Sequence, residues 1–203
     1  MDDNKYSKKE IEIFEGFDKL LQNKIDPSKI KVSDIAKYSK VGKGTVYEYF
    51  KTKEEVIAKS IIYKLNKEFE EFMKRCEEAN GFENKCKTGY EELARIINNR
   101  FLYFQILISS EEIYTLIKYL SENNQCRAKF KNYVERSLES TIRLGIEEGK
   151  INTNLDVEYI KNVFISVGGG IAVKAHIKQG NMSEEDIQTQ KQNSYTMLIK
   201  SLS

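Results

Sequence analysis

Between Ser33 and Glu55 the chain reads Ser-Asp-Ile-Ala-Lys-Tyr-Ser-Lys-Val-Gly-Lys-Gly-Thr-Val-Tyr-Glu-Tyr-Phe-Lys-Thr-Lys-Glu-Glu, and polar hydrogen-bonding groups crowd its second half. Lys43, Thr45, Tyr47, Glu48 and Tyr49 fall within seven residues, with Gly44 among them. Ammonium and hydroxyl groups at this spacing suit a nucleic acid: lysine donates to guanine acceptors, hydroxyls hold phosphates in register, and a glycine lets a helix come close. That chemistry needs a groove-sized rod, which two short helices joined by a tight turn supply by seating the second helix in the major groove. Ile35, Ala36, Val41, Val46 and Phe50 give two such helices a common core, leaving the polar set on the outer surface.

Other chemistries find little to work with. The sequence has no Gly-rich phosphate loop and no Glu-x-x-His pair, and its one histidine and three cysteines are too few for the usual nucleophile or metal sites, so an enzyme is not expected. Cys76, Cys86 and Cys126 are widely spaced and read as small core residues. His176 lies in an apolar stretch and reads as a packed imidazole. No metal and no cofactor is expected.

The elements that must position the polar set are helical. Apolar positions recur at three and four residues, Pro27 is the only proline, and strand-like alternation is missing, so the fold class is all-α. Ser7 and Glu10 form a capping box for a first helix with Ile11, Phe14, Phe17 and Leu21 inward, which the Pro27 segment ends. Short helices follow at about 32–38 and 43–49. Thr52 to Glu55 is a second capping box, opening a long helix with a stripe of Val56, Ile61, Leu65, Phe69, Phe72, Met73 and Cys76. A polar connection is expected over 80–89, then helices at about 90–108, to about 120, and 125–148 with a left-handed stop at Gly149. Asp156 and Ser183 cap two last helices, about 157–178 and 184–202.

A chain of 203 residues, 40% hydrophobic and 32% charged, can bury one good core or a small head on a larger body. The boundaries expected are a DNA-binding head at 1–52, its motif at about 31–50, and a body at 53–203. Net charge is +2, but residues 1–67 carry 15 Lys against 11 acids, so a mildly acidic body bears a basic head suited to a polyanion. No apolar run approaches the roughly 18 residues of a membrane span. The N-terminus MDDNKYSKKE is acidic and polar, unlike a signal peptide, which makes the cytoplasm the expected location.

The motif resembles the DNA-binding region of the tetracycline-repressor (TetR) family: an Ile35-Ala36 pair, a turn, Lys43-Gly44-Thr45-Val46-Tyr47-Glu48-Tyr49-Phe50, and a Lys53-Glu54 start to the next helix. The likeness covers about residues 8–65. It implies a three-helix head with base contacts from Ser33, Lys43, Gly44 and Tyr47 and backbone contacts from Thr45, Tyr49 and Lys53. Three positions depart from the family pattern: Lys40 stands where glycine is frequent, Gly42 where serine caps the recognition helix, and Lys31 where threonine is usual.

The resemblance further implies a homodimer on a palindromic double-stranded operator, since one short helix reads too few bases alone. It also implies a small-molecule effector that releases a repressor from DNA. Family members pack their last two helices against copies in a second subunit, which assigns dimerisation to Val167, Gly168, Ile171, Ala175, Tyr195, Leu198 and Leu202. Three consecutive glycines, Gly168 to Gly170, would cost a helix about 3 kcal/mol relative to alanine. Dimer packing, a helix break and a cavity wall all remain readings of that run. Phe101, Phe104, Tyr114, Tyr133 and Phe164 are candidates to line an effector cavity, with Tyr103, Tyr119 and Phe130 beside them. Two alternatives stand: an activator, or a protein-docking module that uses the helix-turn-helix as its surface.

Overall fold

The computed structural model describes residues 6–23, 29–103, 106 and 124–203, with backbone alone for 124–131 and 133. Among the described residues the regular elements are eight helices: α1 Lys8–Gln22, α2 Val32–Ser39, α3 Lys43–Tyr49, α4 Lys53–Glu78, α5 Phe82–Asn99, α6 Asn124–Glu147, α7 Val157–Ile177 and α8 Glu184–Leu202. The chain forms two compact units, residues 1–70 with 102–124, and residues 71–101 with 125–203.

The first unit begins with the expected capping box: the Glu10 amide donates to Ser7 Oγ at 3.2 Å, and the Ser7 amide to the Glu10 carboxylate at 2.8 Å. Ile13, Phe14, Phe17, Leu20 and Leu21 then recur on one face of α1 and are buried with Ile35, Ala36, Val46, Phe50 and, from α4, Val56, Ile57 and Ile61. Helix α1 meets α2 almost backbone to backbone: a Cβ placed on Gly16 would fall 2.6 Å from both the amide nitrogen and the Cα of Ser39. Helix α2 ends at Lys40 in the left-handed region, φ 56°, a conformation that favours glycine. At the start of α4 the capping box is shifted. Thr52 Oγ1 accepts from the Glu55 amide at 3.1 Å, but the Glu55 carboxylate reaches past Thr52 to the amide of Lys51 at 2.7 Å.

In the second unit α5 begins earlier than the polar sequence suggests. Most of the stretch read as a connection, 80–89, is helix, and only Asn80 and Gly81 lie outside. Phe82, Cys86, Tyr90 and Ala94 form a buried stripe at four-residue spacing, Gly81 turns the chain at φ 78°, and the Glu148 carboxylate accepts the Phe82 amide at 3.0 and 3.2 Å. The same helix stops at Asn99, before the expected end near 108. Gly149 does provide the left-handed stop after α6, at φ 66°, and Asp156 and Ser183 cap α7 and α8 with their side chains. A charged lattice joins α5 to α8: Arg95 pairs with Glu91 at 2.9 Å and Glu184 at 2.5 Å, and Lys191 with Glu91 at 2.7 Å.

One reading of α7 needs correction. His176 is exposed, its ring 6.0 Å from that of Phe101, because its register places it beside the inward Ala175. Of the dimer candidates, Val167, Ile171, Ala175, Tyr195, Leu198 and Leu202 are buried in the core of their own unit with Phe82, Tyr90 and Ile160. Gly168 turns toward α5, where a Cβ would meet Leu93 at 3.5 Å, whereas Gly169 and Gly170 face open space. The glycine run does not break the helix, since α7 is continuous from Val157 to Ile177. Among the cysteines, Cys86 is buried and Cys76 half-buried, while the side chain of Cys126 lies outside the described residues.

Candidate nucleic-acid interface

Helix α3 is anchored by two side chains and offers the rest. Val46 and Phe50 are buried in the first unit's core, the Phe50 ring 5.7 Å from that of Phe14. Because the inward positions are four apart, the intervening residues turn outward. Tyr47 is 48% exposed and Tyr49 40%, unusual for rings this large, and Lys43 and Glu48 are exposed with them. Lys43 Nζ stands 6.0 Å from the Tyr47 ring centroid, one turn along the helix, so ammonium and phenol share one side of it.

Gly44 is the most informative residue of this face. A Cβ built there meets nothing within 4 Å, and its backbone is ordinary α-helix, so the fold itself has no need of glycine at this position. A bare patch of helix backbone between Lys43 and Tyr47 is what close approach to a surface outside the chain requires. The N-cap is Gly42, which contributes no side-chain hydrogen bond, so the first-turn amides of α3 have no side-chain cap.

The remaining DNA-contact candidates belong to the same unit. Ser33 is exposed in the first turn of α2, whose N-cap Lys31 donates its amide to the Asp34 carboxylate at 3.0 Å. Thr45 is half-buried on α3, and Lys53 opens α4 half-buried, its ammonium 4.0 Å from Glu54. All seven candidates retain exposed surface, and all seven sit on or at the start of three consecutive helices. Such an arrangement can place donors along a phosphate backbone while α3 addresses base edges.

The effector candidates are not gathered in this way. Phe101 is buried against the α7–α8 turn, where a Cβ on Gly180 (φ 70°) would fall 2.5 Å from its own. Phe164 is half-buried and edge-on to Phe82, with centroids 6.4 Å apart. The helix positions these two touch or occupy, His176 and Phe164, are twelve residues apart, about 18 Å along α7. Phe104 and Tyr114 lie outside the described residues, as does the side chain of Tyr133. Tyr103 belongs to the first unit, where its hydroxyl donates to Asp18.

Two features escaped the sequence. One is Asp18, an acid on the buried face of α1, signalled only by its place one turn after Phe14. The other is an outward apolar stripe on α7: Ile165 (65% exposed), Val173 (60%) and Ile177 (70%), with Gly169 between them at the same four-residue spacing. Helix α7 is apolar nearly all round, so periodicity could not say which stripe faced in.

Residues 26–59 match the family model for bacterial regulatory proteins of the tetR family. Over 138 residues, 66% of each chain, the sequence is 29% identical to the fatty acid metabolism regulator protein of Bacillus subtilis (strain 168). The fold is similar to two solved structures. For the transcriptional regulator FadR from Bacillus subtilis in complex with stearoyl-CoA, the TM-score is 0.65 at 18% identity, covering 95% of this chain and 99% of that one. For the fatty acid degradation regulator FadR from Bacillus halodurans, it is 0.64 at 17% identity, covering 95% and 98%. Motif and the match over 26–59 agree that the chain carries a DNA-binding region similar to that of the tetR family of bacterial regulatory proteins, and its helix order follows the fold of the FadR structures.

Proposed function

We propose that this DNA-binding regulator is a repressor that holds a palindromic operator as a homodimer and is released by a long-chain fatty acyl thioester. The observation that carries the DNA reading is the outer face of α3, where Lys43, Tyr47 and Tyr49 flank a Gly44 that nothing inside the chain requires. The effector class is drawn from the relative that is a fatty acid metabolism regulator and from the FadR complex with stearoyl-CoA. Release follows if the thioester binds the non-DNA conformation better than the DNA-competent one. The second unit supplies the effector site, with Phe164 as a candidate lining residue.

Dimerisation is assigned to the exposed stripe Ile165, Gly169, Val173 and Ile177 on α7, joined by the exposed Met197 of α8. A two-fold pair presents two recognition helices to half-sites about 34 Å apart or a related spacing.

Selection of bound sequences from random duplexes, repeated with stearoyl-CoA, tests the reading. A palindromic consensus that is lost in stearoyl-CoA is the expected result, and a protein that enriches no sequence contradicts it. On the selected operator, Lys53→Ala weakens binding alike for all sequences, whereas Lys43→Ala changes preference at particular bases. Binding falls steeply with salt as counterions are released, which a protein-docking module would not show.

A further inference from the structure

Asp18 carries a carboxylate into the core of the first unit, where it is held from three directions. The Tyr103 hydroxyl donates to Oδ1 at 2.5 Å, the Lys64 ammonium lies 3.0 Å from Oδ2, and the Gln22 amide donates to Oδ2 at 3.2 Å. These partners come from separate elements: Gln22 shares α1, Lys64 belongs to α4, and Tyr103 lies 85 residues further along the chain. The Tyr103 ring is itself buried, edge-on to Phe17 with centroids 6.2 Å apart. A carboxylate out of water is tolerated only while its partners stay, and apolar residues of equal volume would stabilise as well or better. What such a cluster adds is a single permitted register between α1 and the segments that hold it.

From α1 the contacts continue into α2. Gly16 lies against Ser39 so closely that a Cβ would fall 2.0 Å from Ser39 Oγ, which donates to the Ile35 carbonyl at 2.7 Å. One residue on, Lys40 turns the chain, the Val41 amide bonds the Ala36 carbonyl at 3.0 Å, and α3 starts at Lys43. Tyr103 is thus joined to the recognition helix by successive contacts through Asp18, α1 and α2. Two residues before Tyr103, Phe101 belongs to the other unit, where it is seated on Gly180.

We propose that Tyr103, Asp18 and Lys64 form a latch that sets the position of α3, so that α1 carries the state of the body to the DNA-binding face. Tyr103 and Asp18 are positioning residues and do not touch DNA. The proposal rests on the effector reading only in its second readout.

The test compares full-length wild type with Tyr103→Phe, which deletes one hydroxyl and keeps the ring, and with Tyr63→Phe as control. Tyr63 is also a buried phenol of the first unit, and its hydroxyl has no hydrogen-bond partner among the described residues. By hydrogen exchange, Tyr103→Phe speeds amides of 32–49 by about fivefold or more while 82–99 and 184–202 stay at wild-type rates, and Tyr63→Phe changes none of them. On the selected operator, the ratio of Kd with and without stearoyl-CoA moves toward one in Tyr103→Phe, a loss of about tenfold in coupling. Wild-type exchange over 32–49, or a uniform rise in all three stretches, overturns the latch. If wild type itself ignores stearoyl-CoA, the effector reading fails and the exchange result still decides the latch.

Discussion

At the scale of single residues, the recognition helix is poorly capped and its preceding turn is strained, and both weaknesses can be tested. Lys40 holds φ 56°, where a side chain costs about 1 kcal/mol relative to glycine, so Lys40→Gly raises the denaturation free energy by about that much. Gly42 sits in extended backbone, and a Cβ there meets only Thr45 Oγ1, at 3.7 Å, so a serine fits and would cap α3. Gly44 separates stability from function most cleanly. Gly44→Ala raises helix stability by about 1 kcal/mol in thermal or urea unfolding, while Gly44→Leu folds as well as wild type and loses operator binding. Loss of folding in Gly44→Leu would contradict the open space around that position. The turn at Lys40 and the bare cap at Gly42 were legible through the resemblance, since the family pattern favours glycine at the one position and serine at the other. Asp18 was not legible, since the groups that make it tolerable, Lys64 and Tyr103, lie far along the chain.

Among the elements, those whose ends are fixed by neighbouring residues were readable to within a residue or so, as Ser7, Asp156 and Ser183 demonstrate at the starts of α1, α7 and α8. Helix α5 was misplaced for the opposite reason. Its cap is the carboxylate of Glu148, 66 residues away, and its stripe of Phe82, Cys86 and Tyr90 is diluted by Glu, Asn and Lys. Contacts between elements give two further predictions. Gly16→Ala forces α1 off the backbone of α2 and destabilises the first unit by about 3 kcal/mol, read as early loss of protection over 8–49 in hydrogen exchange. In the second unit, partial burial opposes ionisation of Glu91, but hydrogen bonds from Lys191, Arg95 and Gln188 outweigh it and hold its pKa down at about 2. The folded pKa lies below the ordinary 4.5, so the stabilisation is complete above pH 4.5 and is lost as pH falls toward 2. Urea unfolding of Glu91→Gln therefore has a shallower acid limb between these values than wild type.

For the whole molecule, the proposed pairing turns on which side of α7 would meet a second copy. Sequence reasoning chose Val167, Ile171 and Ala175, which are buried in the core of their own unit, and the pairing proposed above therefore uses the exposed side of the helix. The phase was illegible because α7 carries apolar residues on nearly every side, and only its neighbours α5 and α8 define the inward one. What remains outside is Ile165, Val173 and Ile177, with the bare backbone of Gly169 between them. Apolar side chains in water favour association in proportion to the area they bury, and a glycine within such a stripe lets two helices approach closely. A pair built on this stripe is isologous, so one substitution strikes the interface twice. Val173→Asp thus leaves the fold of each subunit unchanged by circular dichroism, because the residue touches no core, but sediments as a monomer at micromolar concentration. Its operator affinity drops to that of a single head, and the palindromic consensus is no longer selected. Ile171→Asp behaves differently, unfolding the second unit before it affects association. A Val173→Asp protein that still sediments as a dimer and still selects the palindrome would assign the pairing to another face of the chain.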